Sequence, residues 1–411
     1  MKILQLCKKF PWPLKDGESV AVNAISKGLA DLGVTMDLLA MNTKKHFTAV
    51  DSEVIGSISH YRMVKWVPVN TGISMIQALR SLLEGSSYHL KRFILPEFEQ
   101  TLKEVLAGEY YDFVILESLY MVPYIDTIQK HSRAKIIFRS HNLEFEIWDR
   151  LADNNRNPLL KWYLNKLARK LRDYECEHIH KVDFLLPISL VDQKKYLNLG
   201  YEGDIFTLPL GIDLERYPVE RSSPLEKIEV GFIGSLDWRP NVEGLQWFIN
   251  QVWPAVQKKY PNVFRLHIAG RNMPEKIRKQ ASPDIIIHGE VTDAIDFIQR
   301  YDYFVVPLFS GSGMRVKILE AMAMGKIVLS TRIGIEGIPA APDKEFIKVN
   351  NKSEFVGAFD RIAHKDFNLR ILGRNARSFI EDNYSIKQVS SGFYDYLHEI
   401  LRKSPQKIEK P

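Results

Sequence analysis

Cysteine is nearly absent: Cys7 and Cys176 are the only two in 411 residues. They lie far apart and form no CxxC, which argues against a disulfide framework or a cysteine zinc site and points to a reducing compartment. Long apolar runs are missing as well. No segment reaches the ~18 consecutive apolar residues of a membrane span. The first apolar run, Ile3 to Cys7, is stopped by Lys8 and Lys9 and is too short for a secretory signal. A cytoplasmic location is therefore expected. No charge of one sign dominates, since 56 basic against 50 acidic residues leave +6. That balance does not indicate a nucleic-acid partner. Short-period repeats and low-complexity segments are also lacking, which removes solenoids and linker-type chains.

What is present is an ordinary globular composition, 45% hydrophobic and 26% charged, in a chain long enough for two cores. Met1 to Leu6 reads as a buried strand and Lys8 to Gly17 as a loop with two prolines and an Asp-Gly. Val22, Ile25, Leu29 and Leu32 then mark one face of a helix ending at Gly33, and Val34 to Ala40 is the next strand. Further strands are expected at Tyr111 to Leu116, Ala134 to Phe138, Val182 to Pro187 and Ile205 to Leu208. Helices are expected at Lys91 to Ala107, Tyr120 to His131, Pro158 to His178 and Leu190 to Leu199. From Leu210 to Glu226 the periodicity fades, and then the pattern restarts with a strand at Ile228 to Ile233 and a helix at Val242 to Tyr260. More strands follow at Phe264 to Ala269, Ile285 to His288, Tyr303 to Leu308, Ile327 to Ser330 and Phe346 to Val349.

The fold class is therefore α/β, with two Rossmann-like doubly wound parallel-sheet domains facing across a cleft. Residues 1–209 form the first domain, 210–226 a linker and 227–384 the second domain. A helix at 385–403 packs back on the first domain, and a polar tail occupies 404–411.

The stretch from Tyr301 to Thr331 carries the strongest local signal. A short apolar strand leads into Ser310-Gly-Ser-Gly313, then a helix from Met314 to Met324 stopped by Gly325, then another strand. A glycine-rich turn before a helix puts free N–H groups and a positive dipole end beside any ligand, which suits a diphosphate. Arg315 and Lys317 would add charge there, and Glu320 would accept hydrogen bonds from sugar hydroxyls, as an acidic residue does for ribose in dinucleotide sites. Alone, Lys317 and Glu320 also fit an exposed ion pair worth about 0.2–0.5 kcal/mol.

Gly311-Ser-Gly-Met-Arg-Val-Lys-Ile-Leu-Glu-Ala-Met-Ala-Met-Gly, Gly231-Phe-Ile-Gly-Ser-Leu-Asp-Trp-Arg-Pro-Asn and Leu208-Pro-Leu-Gly-Ile-Asp together resemble the family 4 retaining glycosyltransferases of GT-B architecture. The Gly-Ser-Gly-x-Arg-x-Lys-x-x-Glu form looks like the branch used in bacterial polysaccharide assembly. The resemblance implies transfer of a sugar from a nucleotide-sugar donor to a glycan or lipid-linked acceptor, with retention at the anomeric carbon. It implies no metal and no cofactor beyond the nucleotide-sugar substrate. The second domain would hold the donor, and the first most of the acceptor site.

Residue by residue, Glu320 matches the second glutamate of the family's Glu-x7-Glu motif and would bind the donor ribose. Ser312 stands where the first glutamate is expected, so what touches the transferred sugar is left open. Gly313, Met314 and Val316, with Arg315 and Lys317, would hold the diphosphate. Ser235 and Arg239 belong to the Gly234 to Gly244 segment, where relatives carry an arginine and a lysine; here Arg239 is the one cation. His141, after the Ala134 to Phe138 strand, would contact the donor sugar and steady the transition state. Gly17 would let backbone approach the phosphate, although a turn glycine opening the helix is an equal reading. Glu144 and Glu146 are two apart on a helix and point differently, and no paired carboxylates stand out for a double displacement. A front-face route, with the leaving phosphate oxygen helping to deprotonate the acceptor, is expected instead.

Two alternatives stay open: a nucleotide-sugar 2-epimerase on the same frame, and a non-catalytic nucleotide- or glycan-binding protein. Pro158 to Arg172 is a basic amphipathic helix. Leu159, Leu160, Tyr163, Leu164, Leu167 and Leu171 share a face opposite Lys161, Lys166, Arg169 and Arg172. It can pack on the sheet or contact the inner face of an anionic membrane.

Overall fold

A computed structural model describes residues 1–14, 16–69, 90, 92–153, 157–219, 227–311 and 313–403. The chain divides into two compact units, Met1–Gly211 together with the chain from Ile386, and Ile212–Ser385. The expected 220–226 part of the linker and the tail at 404–411 lie outside the described residues.

In the first unit seven strands form one parallel sheet. They are β1 Lys2–Cys7, β2 Thr35–Thr43, β3 Tyr61–Val69, β4 Phe113–Leu116, β5 Lys135–Ser140, β6 Phe184–Pro187 and β7 Asp204–Ile205. Their order is β3-β2-β1-β4-β5-β6-β7. β1 is buried on both faces, with Ile3 opposite Met36 on one side and Phe113 on the other. Helix α1, Gly17–Asp31, starts where the Asp16 carboxylate accepts from Ser19 N–H at 3.0 Å and stops before Gly33, whose φ of 83° is left-handed.

The helices that follow are α2 Ser52–Ser57, α3 Pro96–Gly108, α4 Ile125–His131, α5 Glu144–Asp153, α6 Pro158–His178 and α7 Leu190–Asn198. Helix α15, Ile386–Lys403, returns to this unit. Its Val389, Phe393, Leu397 and Ile400 share a core with Val22, Ile25 and Leu29 of α1. Gly28 makes that approach possible, because a Cβ there would lie 1.9 Å from Ser390 Oγ.

β3 is not expected from apolar periodicity, and its place explains why. It is a sheet edge, carrying Arg62, Lys65 and Pro68, so it shows neither a buried run nor clean alternation. β7 is shorter than the expected Ile205 to Leu208. The ladder nonetheless continues through Phe206 N–H to Leu185 O at 3.0 Å and Leu208 N–H to Pro187 O at 2.9 Å.

The second unit repeats the scheme with β8 Ile228–Ile233, β9 Phe264–Ala269, β10 Ile285–Gly289, β11 Tyr303–Val306, β12 Ile327–Ser330 and β13 Ile347–Lys348. The order is β10-β9-β8-β11-β12-β13, again parallel. The helix expected over Val242 to Tyr260 is interrupted. It runs as α8 Arg239–Trp247, a π-type turn at Phe248–Val252, and α9 Trp253–Lys259. Pro254 cannot donate to an α-helical ladder, so a wider turn precedes it. α10 Glu275–Arg278, α11 Ala294–Gln299, α12 Val316–Ala323, α13 Lys352–Ala363 and α14 Phe367–Tyr384 complete the unit.

In each sheet the chain order reverses between neighbouring strands, β1/β4 in the first and β8/β11 in the second. Ligands of doubly wound sheets bind beyond the carboxyl ends of strands at such reversals.

Gly244 of α8 faces the loop after β11, where a Cβ would sit 2.1 Å from the Pro307 carbonyl oxygen. Overpacking against backbone has no rotamer to relieve it. Gly244→Ala is therefore expected to lower unfolding free energy by about 2 kcal/mol or more, measured by urea titration.

Candidate functional site

The loop between β11 and α12 is shaped by glycines where no other residue fits well. Gly311 and Gly313 have φ of 109° and 79°. A Cβ on Gly311 would also lie 2.6 Å from the Trp238 ring, so the loops after β8 and β11 touch through a bare backbone. Arg315 stacks there with its guanidinium 5.1 Å from the Trp238 ring centroid, and its Nη1 donates to the Gly313 carbonyl. Met314 is half-buried beside it. Val316 opens α12, whose N-terminus has no side-chain cap. Ser312 lies outside the described residues.

One turn into α12, Glu320 is 5% exposed. Its Oε1 accepts from Tyr217 O–H at 3.0 Å, and Lys317 Nζ lies 2.7 Å from Oε2. The pair is thus not the exposed surface bridge of the simpler reading. Burial, then the Glu320 charge, push the Tyr217 phenol well above its ordinary range. Lys317 is the more exposed partner of the pair, at 42%. Tyr217 is 103 positions away in sequence, and no local pattern marks it.

After β8, the Ser235 hydroxyl donates to Asp237 Oδ1 at 2.6 Å and accepts from Arg271 Nε at 2.6 Å. Arg271, just beyond β9, is a cation that motif reading does not single out. Arg239 starts α8, is largely exposed and pairs with Glu243 at 2.5 Å. Asn241 closes the turn, with its amide donating to Ser235 O at 2.9 Å. The loops after β8 and β11 thus assemble Ser235, Trp238, Gly311, Gly313, Arg315 and the head of α12.

The first unit holds the other expected residues. His141 follows β5, and its Nε2 lies 2.8 Å from Glu117 Oε2 at the end of β4. Glu117 is fully buried. Burial would raise its carboxyl, but Arg139 and His141 hold it below the ordinary range. Gly17 is the first residue of α1. Glu144 and Glu146 diverge: Glu144 is buried and accepts from Tyr120 O–H at 3.3 Å, while Glu146 pairs with Arg150 at 2.7 Å and Lys195 at 2.9 Å. Among the described residues no group of three or more His, Cys, Asp or Glu side chains could hold a metal ion.

Residues 227–365, nearly all of the second unit's sheet and both loops of its site, match the family described as Glycosyl transferases group 1. That stretch of the chain is similar to a group 1 glycosyltransferase domain. A Klebsiella pneumoniae protein described as an uncharacterized 44.6 kDa protein in the cps region is 28% identical over 309 residues, 71% of this chain and 76% of that one. Among solved structures, sucrose-phosphate synthase from Thermosynechococcus elongatus aligns at 15% identity with TM-score 0.72, covering 98% of this chain and 100% of that one. Anabaena Alr3699/HepE in complex with UDP aligns at 12% identity with TM-score 0.66, covering 97% and 100%. The same protein with UDP-glucose gives 13% and 0.62, covering 98% and 100%. These likenesses show the GT-B fold: two Rossmann-like parallel-sheet domains, the second containing the stretch that matches the group 1 family.

One buried acid in the first unit makes stability depend on pH. Glu175 accepts from Tyr196 O–H at 2.5 Å, and burial raises its carboxyl to about 8. A carboxyl raised in the folded state carries no penalty below the unfolded value and a growing one as pH rises toward its folded value. Glu175→Gln should therefore gain stability relative to the natural chain as pH moves from 5 to 8, read as diverging melting temperatures.

Proposed function

We propose that this chain is a retaining glycosyltransferase of family 4. It would move a sugar from a nucleotide-sugar donor to a glycan or lipid-linked acceptor in polysaccharide or glycoconjugate assembly in the cytoplasm. The observation that carries this reading is the β11–α12 turn, where Gly311, Gly313, Arg315, Lys317 and the uncapped head of α12 lie at a topological switch point inside a group 1 domain. Buried Glu320 stands one turn behind them. Backbone N–H groups and two cations suit a diphosphate, and Glu320 suits the ribose hydroxyls. The match to the group 1 family favours transfer over epimerisation or passive binding.

Cleavage of the anomeric C–O bond leaves negative charge on the departing nucleoside diphosphate. Arg315 and Lys317 would supply the positive charge that such a leaving group needs. Ser235, Arg239, Met314 and Val316 complete the donor side. For Gly17 and His141 the family resemblance supports roles at the phosphate and at the transferred sugar. The departing phosphate oxygen takes the acceptor proton on the same face, which accounts for retention without a carboxylate nucleophile.

A lipid-linked acceptor requires access to a membrane, and the α5–α6 hairpin offers a contact. Leu164, Leu167 and Leu171 of α6 are buried, so this stripe belongs to the protein interior. Leu151, Leu159, Leu160 and Trp162 are exposed where α5 ends and α6 begins. Along α6 follow Lys161, Lys166, Arg169, Lys170 and Arg172, with no acidic residue between Pro158 and Arg172, although Lys161 pairs with Asp153 of α5 at 3.6 Å. An exposed apolar end on a cation-rich helix fits an anionic bilayer surface. Among the described residues no helix is long and apolar enough to cross a membrane, so the contact proposed is peripheral.

A thermal-shift screen of nucleoside diphosphates and nucleotide sugars tests the donor site. A ligand at 100 times its Kd should add about 2.7 kcal/mol, and Glu320→Ala should abolish the shift. Lys317→Ala should lower turnover on the order of 10²–10³-fold. A donor bound and consumed equally by both variants would refute the assignment. Co-sedimentation with phosphatidylglycerol vesicles tests the hairpin: Leu159→Glu/Trp162→Ser should release the protein, and equal sedimentation of natural and variant chains removes the membrane contact.

A further inference from the structure

Beneath His141 lies a buried polar chain that the proposed reaction does not explain by itself. Glu117 is the first residue past β4, fully buried, with its N–H donating to Leu6 O at 3.0 Å. Its Oε1 accepts from the Gln5 amide, and the Gln5 carbonyl oxygen accepts from Tyr61 O–H at 2.6 Å. Its Oε2 receives His141 Nε2 at 2.8 Å and lies 3.5 Å from Arg139 Nη1. Arg139 is also fully buried. Its Nη1 donates to Ala21 O at 3.0 Å, while Nε and Nη2 have no hydrogen-bond partner among the described residues.

As a device for stability this arrangement is poor. Two charges have been taken out of water, their separation is long for a charge-assisted hydrogen bond, and two guanidinium nitrogens are left unsatisfied. Apolar residues of similar volume would serve a core equally well. The carboxylate must therefore be accounted for by what it touches on its other side, which is His141.

An ionised carboxylate can only accept hydrogen bonds, so the imidazole nitrogen facing it has to carry a proton. Arg139 and Gln5 keep Glu117 ionised and oriented. Nδ1 of His141 makes no hydrogen bond among the described residues. We propose that Glu117 is a positioning residue that holds His141 as the Nε2–H tautomer, leaving Nδ1 to accept a hydrogen bond from a hydroxyl of the transferred sugar. This rests on the transferase reading for the sugar and on the Glu117–His141 geometry for the tautomer. Gln5, Tyr61 and Arg139 act through Glu117.

The test uses the full chain labelled with ¹⁵N-histidine. Long-range ¹H–¹⁵N correlation reads each tautomer, and the signal lost in His141→Gln identifies the residue. A single Nε2–H pattern at pH 7.5 is expected. An Nδ1–H tautomer, a mixture or an imidazolium overturns the proposal. In Glu117→Leu/Arg139→Met, which removes both buried charges together, His141 should become a tautomer mixture. The kcat with UDP-glucose should fall roughly 10²-fold or more, as when a buried carboxylate partner of a catalytic histidine is lost, while KM stays within about threefold. An unchanged tautomer and kcat overturn it equally. If the double variant does not fold, the tautomer of the natural chain still decides. If the natural chain turns over no UDP-glucose, that bears on the donor reading, and the tautomer result stands apart from it.

Discussion

Every strand in both sheets runs the same way, and the placement of chemistry follows from that one constraint. A parallel strand must be followed by a crossover, so all strand ends of one kind open at a single edge of the sheet. Where the order reverses, crossovers on the two sides depart in opposite senses and leave a crevice. β8 and β11 are such neighbours, and their following loops bring Trp238 against Gly311. In the first unit, β4 and β5 end side by side, which puts Glu117 and His141 in hydrogen-bond contact despite a sequence separation of 24.

The loops reach their geometry by omitting side chains. Gly311 permits the approach of an indole, and Gly244 permits the approach of the Pro307 carbonyl. Gly270 does the same for the carbonyl of Gly234, with a Cβ position only 2.1 Å away. Three glycines from separate elements thus draw the loops after β8, β9 and β11 together. The cations they gather, Arg315 and Arg271, are held by an aromatic face and a hydroxyl. A guanidinium so held loses little further freedom when an anion arrives.

Much of this frame is readable in the sequence because buried parallel strands are short apolar runs that little else imitates. Ile228–Ile233, Phe264–Ala269 and Ile327–Ser330 agree with their expected limits for that reason. The edges are not readable: β3 mixes Arg62, Lys65 and Pro68 into a strand with one neighbour. Within the site, the turn residues Gly311 to Lys317 and Glu320 stand out as a motif. Tyr217 and Arg271, and Glu117 in the first unit, do not, because each meets its partner only through folding. Leu159 and Leu160 make the same point in reverse. Helical periodicity groups them with Leu164 and Leu167, but the hairpin is too short to cover all four, and the first two emerge into solvent.

The return of α15 to α1 has a consequence for how the chain is made. The first unit is discontinuous in sequence, with the whole of Ile212–Ser385 lying between its two parts. Ile212 and Ser385 are bridged partners, so the inserted unit begins and ends at one place and is continuous in itself. During synthesis the inserted unit has all its residues before the first has its last helix. Until Val389, Phe393 and Leu397 emerge, the core they share with α1 is incomplete and Gly28 lacks the helix that packs against it. The unit whose first residues precede the inserted one is therefore completed after it.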